Sequence, residues 1–403
     1  MAIAAAWSTA CGQAPPTMPA TRTDAGRADG GGTGGGGGAG LDAAGNAGGR
    51  DGAAGPADVA IDRSSAADAP RADVGGSPPD ASRADGVVDA SMGSDIVLPD
   101  VPPSPPGSIS TDPDLKVAFI GDTTDDSAGY KSVLNLVKSE GAAAMVVSGD
   151  MSYTADPDAW WATTEAALGG SFPIFLAEGN HDESSWEGYQ PKANAHVMAS
   201  GATVDPVKIG IRGYHYTFKG LSMVFIGEDK NSQYPKFIME RFANDKHIWK
   251  VCAWHKNQNA MQIGGKGDEM GWEVYEACRT AGALTMTAHE HSYERTKTLT
   301  STSKQTVDPM CSDPKTPCVG PGRVPVFVSG LGGNSIRDQE RCTPTTYPYG
   351  CNKEWAFIYS SNQGAKHGVL FIVFNYKGDA QKAHGYFKNV SGEVVDEFDL
   401  TNK

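Results

Sequence analysis

The sequence predicts an α/β domain that follows a long segment unable to build a core. Three observations favour this fold class. Apolar runs of strand length alternate with amphipathic stretches of helical length. Residues 12–110 consist mainly of Gly, Ala, Asp, Ser and Pro. Several apolar runs end directly in carboxylate, amide or imidazole side chains. Since the chain has 403 residues, the part after residue 110 is long enough for one substantial core.

The first elements to account for are the N-terminal segment and its tether. Residues 12–110 offer almost no aromatic or branched apolar surface. Ordering a residue costs roughly 1–2 kcal/mol of backbone entropy, which so little apolar area cannot offset. We therefore expect a long disordered tether over 12–110. A single catalytic-sized domain is expected over 111–403, which holds seven of the eight tryptophans.

The first eleven residues, MAIAAAWSTAC, resemble the lipobox of a bacterial lipoprotein, in which the chain is cut before the cysteine and that cysteine is lipidated. The apolar part is short and no Lys or Arg precedes it, so an ordinary chain terminus is the alternative. We expect an extracytoplasmic protein, either secreted or held in the bacterial cell envelope through a lipid anchor at Cys11.

The remaining six cysteines agree with export, because an even number can pair in an oxidising compartment. The two expected local disulfides are Cys311–Cys318 and Cys342–Cys351. Cys252 and Cys278 are either a third pair or two buried thiols. No cysteine spacing indicates a structural zinc site.

Charge and hydropathy limit the partners. The formal net charge of −14 argues against nucleic acid as the main partner, because that affinity depends on Lys and Arg neutralising phosphates. A phosphorylated small molecule or protein remains a candidate substrate, since bound metal ions supply positive potential locally. No run is long enough to span a bilayer as a helix.

The elements of the folded part can be predicted in order. A strand at 116–122 precedes a helix at 130–141, in which Val133, Leu134 and Val137 share one face and Gly141 marks the end. The next predicted elements are a strand at 143–150, a helix at 156–170, a strand at 172–182, a strand at 248–255, a helix at 272–282 and a strand at 283–291. Hairpins and strands are predicted at 214–229, 324–333, 368–375 and 383–400.

Five of these strands end in side chains that bind metal ions. They are Asp122, Asp150, Asn180 with His181, His255, and His289 with His291. Functional groups collect beyond the carboxyl ends of strands in open α/β sheets, so we expect these groups to converge. Carboxylate, amide and imidazole ligands suit Zn, Mn and Fe. The set exceeds what one tetrahedral ion with an open position needs, which predicts two metals bridged by a carboxylate such as Asp150.

A metal pair of this kind suits phosphoester hydrolysis. Bound metals act as Lewis acids on a phosphoryl oxygen and lower the pKa of bound water from about 15.7 to about 7. Hydrolysis of a phosphate monoester demands an acceleration of up to about 10²¹, whereas one general acid or base contributes about 10² to 10⁴. His181 is then free to bind phosphate or to protonate the leaving oxygen.

The ordered segments GDTT, GDMSY, GNHD, CAWH and AHEHSYER resemble the calcineurin-like metallophosphoesterases and, within them, the purple acid phosphatases. The resemblance extends from about residue 116 to about residue 400. It implies a β-sandwich of two mixed sheets flanked by helices, with the site at one edge. It also implies two metal ions, Fe(III) with Zn, Mn or Fe(II). The ligands it implies are Asp122, Tyr153 and His291 for the first ion, Asn180, His255 and His289 for the second, and Asp150 between them.

Tyr153 is the residue that points to the purple acid phosphatases. Many other metallophosphoesterases have a histidine two residues after the first aspartate, where this chain has Thr124. This chain instead has a tyrosine three residues after Asp150, as the purple acid phosphatases do. Packing under the sheet is the alternative role for a tyrosine. Plant members carry substrate-contacting histidines after the fourth motif. Here Lys256 follows His255 and is our candidate phosphate-binding residue.

The segment HKNQNAMQIGGKGDE also offers Asn257, Gln258 and Lys266 in that region. We further expect Glu294 and Arg295 to form an ion pair that supports His291. The predicted function is dinuclear-metal hydrolysis of phosphate monoesters by attack of a metal-bound hydroxide. The alternatives are a phosphodiesterase acting on nucleotides or lipid headgroups, and a non-catalytic surface binding protein on the same scaffold.

Overall fold

The structure is a computed structural model that describes residues 108–205, 210 and 212–403. The predicted lipobox with Cys11 and nearly all of the predicted tether therefore lie outside the described residues. Within them, Ile109 already pairs with the main domain: its N–H donates to Lys246 O at 2.8 Å and its carbonyl accepts from Ile248 N at 2.9 Å. The main domain thus includes a contact made by residue 109, ahead of the expected boundary at 111.

The elements alternate as expected in the first half and become mostly strands in the second. The helices are α1 (Ala128–Ser139), α2 (Pro157–Leu168), α3 (Trp186–Ala199), α4 (Tyr234–Phe242) and α5 (Trp272–Ala281). The strands are β1 (Leu115–Ile120), β2 (Ala144–Ser148), β3 (Ile174–Ala177), β4 (Thr203–Asp205), β5 (Tyr214–Phe218), β6 (Leu221–Phe225), β7 (Trp249–Ala253), β8 (Leu284–Thr287), β9 (Tyr293–Thr296), β10 (Leu299–Ser301), β11 (Thr306–Val307), β12 (Cys318–Val319), β13 (Val326–Ser329), β14 (Trp355–Tyr359), β15 (Gly368–Phe374), β16 (Lys382–Asn389) and β17 (Val394–Asn402).

Most strands belong to two mixed sheets. The first has the order β12-β17-β16-β15-β1-β2-β3, and the second has the order β14-β9-β13-β8-β7-β6-β5-β4. In the first sheet β1, β2 and β3 run parallel, while β1 pairs antiparallel with β15. In the second sheet β6, β7, β8 and β13 run parallel. Strands β10 and β11 form a separate hairpin.

The two sheets pack face to face around aromatic side chains. The Trp249 ring on β7 lies 5.4 Å from the Phe374 ring on β15, and Tyr293 on β9 stacks on Phe387 of β16 with centroids 4.2 Å apart. These pairs cross from one sheet to the other and belong to the main core. Aromatic pairs at these distances add to the stabilisation from buried area. The predicted sandwich of two mixed sheets flanked by helices is therefore confirmed.

Helix ends follow the local signals in the sequence. Ser127 caps α1, its hydroxyl accepting from Tyr130 N at 3.0 Å. Asp156 caps α2, where Pro157 takes the first helical position. Helix α5 ends at Gly282, which has the left-handed conformation (φ 68°) that glycine adopts without a Cβ clash. Each of these helices was predicted from the sequence, with ends within a few residues of those observed.

The structure pairs all six cysteines that it describes. Cys311 is bonded to Cys318 and Cys342 to Cys351, which confirms the two expected local disulfides. Cys252 is bonded to Cys278, so the open choice resolves to a third disulfide, joining β7 to α5. Among the described residues, no helix combines the length and apolar character needed to cross a bilayer.

Candidate metal centre

A first cluster of donor atoms forms where β1, β2 and β8 end. The Tyr153 hydroxyl lies 3.2 Å from Asp122 Oδ1 and 3.1 Å from His291 Nε2. His291 Nε2 lies 3.3 Å from Asp122 Oδ1, which closes the triangle. Metal–ligand bonds of about 2.0–2.2 Å place neighbouring donors about 3 Å apart when they meet near a right angle. The triangle therefore has the dimensions of one face of a coordination shell.

A second cluster lies at the ends of β2, β7 and β8. His255 Nε2 lies 3.2 Å from Asp150 Oδ2 and 3.0 Å from His289 Nδ1. One ligand atom from each of the three residues lies within 4.8 Å of the others, and all three side chains are buried. The cluster joins two of the three ligands that the resemblance implies for the second ion, His255 and His289, to the implied bridging residue Asp150.

Backbone hydrogen bonds hold the two clusters next to each other. Asp122 N–H donates to Gly149 O at 3.1 Å, which joins the end of β1 to the end of β2. Asp122 Oδ2 accepts the backbone N–H of His289 at 2.8 Å. A carboxylate of the first cluster is thus bonded to a residue of the second, so the clusters share one crevice. This crevice lies where parallel strands of both sheets end.

Asn180 and His181 follow β3 at the same edge. The Asn180 side-chain oxygen is shielded from solvent and has no hydrogen-bond partner among the described residues. Burying an oxygen without a hydrogen-bond partner costs free energy, and a bound cation would offset that cost. His181 is exposed, and its ring centroid lies 4.4 Å from that of Tyr153. The structure therefore brings the predicted amide and the predicted substrate-binding imidazole to this crevice.

The backbone at three of these residues has the left-handed conformation. The φ angles are 54° at Asp122, 55° at Asp150 and 69° at His289. Residues other than glycine rarely adopt this region, and each instance costs about 1–3 kcal/mol. Gly179 allows the close packing here, because a Cβ at that position would lie 2.2 Å from both Asp150 N and Asp150 Oδ1.

Asp182 is a site residue to which sequence reasoning assigned no role. Its carboxylate is fully buried and accepts backbone N–H groups from Asp150 at 2.8 Å, Met151 at 3.0 Å and Gly179 at 2.8 Å. It therefore ties the loop after β2 to the loop after β3. The sequence signal for this role is the aspartate that directly follows Asn180 and His181 in the segment GNHD.

Outer contacts orient two of the imidazoles. His255 Nδ1 lies 2.8 Å from the carbonyl of Ser148, which only accepts, so this nitrogen carries the proton and donates. The Nε2 of His255 is then left to face the crevice. His291 Nδ1 lies 2.8 Å from the Ser335 hydroxyl, so its Nε2 also faces the crevice. Partners of this kind fix the ring orientation of metal-binding histidines.

The charges in the crevice favour a bound cation. Burial alone would lower the pKa of His255, but Asp150 and Asp122 outweigh it and raise that pKa to about 9. Burial alone would raise the pKa of Asp150, yet the charge and hydrogen bond of His255 bring it below its ordinary value. The pKa of His289 is lowered, first by burial and then by His255 and Lys266. A cation that entered here would displace the His255 proton.

The structure also locates the lysines after β7. The Lys256 ammonium pairs with Glu228, and its side chain is 22% exposed. In this arrangement the predicted phosphate-binding lysine is engaged by a carboxylate. The Lys266 ammonium donates to the carbonyl of His289. Glu269 Oε2 lies 3.1 Å from His289 Nε2.

The expected ion pair between Glu294 and Arg295 is wrong. These residues are neighbours on β9, so their side chains point to opposite faces of the sheet. Arg295 instead binds Asp396 of β17, with Nε at 2.7 Å and Nη2 at 2.9 Å. Glu294 accepts from the Ser292 hydroxyl at 2.6 Å.

One solved structure supports the fold, and two others are also similar to this chain. A purple acid phosphatase from yellow lupin (Lupinus luteus) aligns with a TM-score of 0.55 and 14% identity, over 73% of this chain and 55% of the lupin chain. The aligned region thus spans little more than half the length of that relative. GAP50 of Plasmodium aligns with a TM-score of 0.46 and 13% identity, over 72% of this chain and 89% of its own. PhoD aligns with a TM-score of 0.44 and 10% identity, over 73% and 71% respectively.

No curated protein sequence matches the chain. A family model does match: residues 115–293 fit the calcineurin-like phosphoesterase family. The match begins with β1 and ends at the first residue of β9, so it includes all seven predicted metal ligands. Residues 115–293 of this chain therefore match a calcineurin-like phosphoesterase domain.

Proposed function

We propose that the protein is a dinuclear-metal phosphoesterase that hydrolyses phosphate monoesters, similar to the purple acid phosphatases. The observation that carries this proposal is the pair of adjacent donor clusters, one of which includes the hydroxyl of Tyr153. The lupin neighbour is a purple acid phosphatase by name, and its likeness to this chain extends to the fold alone.

In this proposal Asp122, Tyr153 and His291 would hold one ion, Asn180, His255 and His289 would hold the other, and Asp150 would contribute to both. The donor set fits, because it supplies carboxylate, phenol, amide and imidazole and includes an otherwise unpartnered amide oxygen. Two bound cations would polarise a phosphoryl oxygen and supply a hydroxide nucleophile.

The other side chains bind and orient the substrate. His181 is exposed beside Tyr153, so its imidazole can donate to a phosphate oxygen or give a proton to the leaving oxygen. For Lys256 to bind a phosphate oxygen, its ammonium must first leave the ion pair with Glu228. Buried Asp182 keeps the loops that carry Asp150 and Asn180 in register through its three backbone contacts.

The test of this function measures metal content and ester preference on one purified sample. We expect about two metal ions per chain and faster hydrolysis of 4-nitrophenyl phosphate than of bis(4-nitrophenyl) phosphate. A preference for the diester would replace the monoesterase with a phosphodiesterase. A protein that binds no metal and cleaves neither ester would support a surface binding protein instead.

Tyr153 allows a prediction about the identity of the first ion. Burial and the carboxylates of Asp122 and Asp150 raise the pKa of Tyr153, so a phenolate here requires a strongly charged cation such as Fe(III). After reconstitution with iron we expect a visible phenolate-to-Fe(III) band that Tyr153→Phe abolishes. Tyr347→Phe, at a half-exposed tyrosine of the Cys342–Cys351 loop, is the matched control and should keep the band. A colourless wild type, or a coloured Tyr153→Phe variant, would contradict the assignment.

We also propose that the protein is exported, with a lipid anchor at Cys11. Support comes from the three disulfides, which persist mainly in oxidising compartments. Fractionation of the native host tests this part, and recovery of the protein in the cytoplasm would oppose it.

A further inference from the structure

The loop that follows β13 is bonded to the candidate metal centre at several points. The backbone N–H of Asn334 donates to the carbonyl of Asp122 at 3.1 Å, and Ser335 contacts His291 through its hydroxyl. The backbone N–H of Arg337 donates to the carbonyl of His291 at 3.0 Å. The position of Arg337 relative to the two donor clusters is therefore fixed by the fold.

Arg337 differs from the other cations around this crevice in lacking a partner. Lys256 pairs with Glu228, and Lys266 donates to the carbonyl of His289. Arg337 is exposed, and in the described part of the chain no carboxylate lies within ion-pair distance of its guanidinium. It is thus available to a ligand, whereas the two lysines are already engaged.

The guanidinium lies near enough for its charge to act on the crevice. Burial is the main cause of the lowered pKa values of His289 and Lys266, and the positive charge of Arg337 adds to both. The same charge acts on Glu290, which is buried between the two metal-binding histidines. Arg337 therefore stands beside the site at its solvent-facing side.

The chemistry of this position suggests what it binds. In the proposed function, two metal ions and His181 suffice to bind the reacting phosphate. A further cation at the rim of the crevice is therefore not needed to bind that phosphate. Guanidinium presents paired donors that match the oxygens of a carboxylate or phosphate. We propose that Arg337 binds a second anionic group of the substrate, apart from the reacting phosphate. The preferred substrates are then phosphate monoesters that carry another carboxylate or phosphate.

This inference rests on the proposed function, and a binding experiment separates the two. Metal-loaded protein is titrated calorimetrically with three non-hydrolysable probes: phenylphosphonate, 3-carboxyphenylphosphonate and 4-carboxyphenylphosphonate. The two carboxylates sample different spacings between the anionic groups. We expect at least one of them to bind wild-type protein about 10-fold more tightly than phenylphosphonate.

Two substitutions of Arg337 test whether this residue causes the tighter binding. In Arg337→Gln the carboxylated phosphonate should bind at most about 2-fold more tightly than phenylphosphonate. Arg337→Lys should restore part of the difference in affinity. The matched control is Arg323→Gln, which removes a partly exposed arginine that precedes β13 and pairs with Asp308 at 3.4 Å. That variant should keep the full advantage.

Other results overturn the inference. Equal affinity for all three phosphonates in the wild type would remove it while leaving the phosphatase proposal intact. An advantage that persists in Arg337→Gln would also remove it. A lower melting temperature with unchanged selectivity would show that Arg337 only offsets the buried charge of Glu290. If none of the probes binds, this inference and the proposed function fail together.

Discussion

Asp150→Asn is expected to lower kcat/KM for a phosphate monoester by at least about 10³-fold and to reduce the bound metal below two ions per chain. Loss of an outer partner of a metal ligand already costs about 10- to 100-fold, and Asp150 is the ligand proposed to contact both ions. Its Oδ2 lies 3.2 Å from His255 Nε2, while its Oδ1 accepts the His181 backbone N–H at 3.0 Å. Asparagine keeps the shape and removes the bridging charge.

The control for this variant is Asp126→Asn. Asp126 is 75% exposed and pairs with Lys131 on the outside of α1 at 3.3 Å. Such a surface pair contributes about 0–1 kcal/mol, so activity and metal content should both be retained. Metal analysis and steady-state kinetics on the two variants decide the question. Two ions per chain in Asp150→Asn, with activity within about 10-fold of the wild type, would disprove the bridging role.

Asp396→Ala should lower the free energy of unfolding by about 3–5 kcal/mol, because it leaves the buried charge of Arg295 uncompensated. The side chains of Arg295 and Asp396 are 1% and 0% exposed. Asp396 also accepts the Tyr293 hydroxyl at 3.0 Å, and the Arg295 guanidinium lies 4.1 Å from the ring centroid of Phe398. Urea unfolding followed by tryptophan fluorescence measures the change.

Two further variants keep this prediction specific. Asp399→Ala removes a carboxylate from the same strand that is 67% exposed and pairs with His384, so its cost should stay below about 1 kcal/mol. Replacing both partners, as Asp396→Leu with Arg295→Met, should recover much of the lost stability, since apolar pairs of similar volume often replace buried ion pairs. A cost for Asp396→Ala as small as that of Asp399→Ala would show that the pair is not a major stabilising contact.

The site was predictable from the sequence because its residues follow their strands directly. Asp122, Asp150 and His255 each stand within two residues of the end of a buried strand. This local pattern can be recognised without knowing the order of the strands in the sheets. The sequence alone did not show that β1 to β3 belong to one sheet and β7 with β8 to the other, since strand order depends on long-range pairing.

The features that escaped prediction depend on distant contacts or have a weak local signal in the sequence. Arg295 and Asp396 are 101 positions apart, so a local reading paired Arg295 with its neighbour Glu294 instead. Helix α3 has Pro191 inside it, and its buried face includes the polar His196 beside aromatic and small residues. Helix α4 has only nine residues. The internal proline of the first segment and the shortness of the second weaken the sequence pattern on which helix prediction relies.

The placement of β15 has a consequence for biosynthesis. This strand lies between β1 and β16, so the first strand of the folded part meets its antiparallel neighbour only after about 250 further residues have been made. A nascent chain that has just released His291 from the ribosome already contains every proposed ligand. Its first sheet still lacks β12, β15, β16 and β17, and its second sheet still lacks β9, β13 and β14. Such distant pairing slows folding, because loop closure must precede the contacts that reward it. We therefore expect the crevice to reach the geometry described above only after the C-terminal strands have been made and paired.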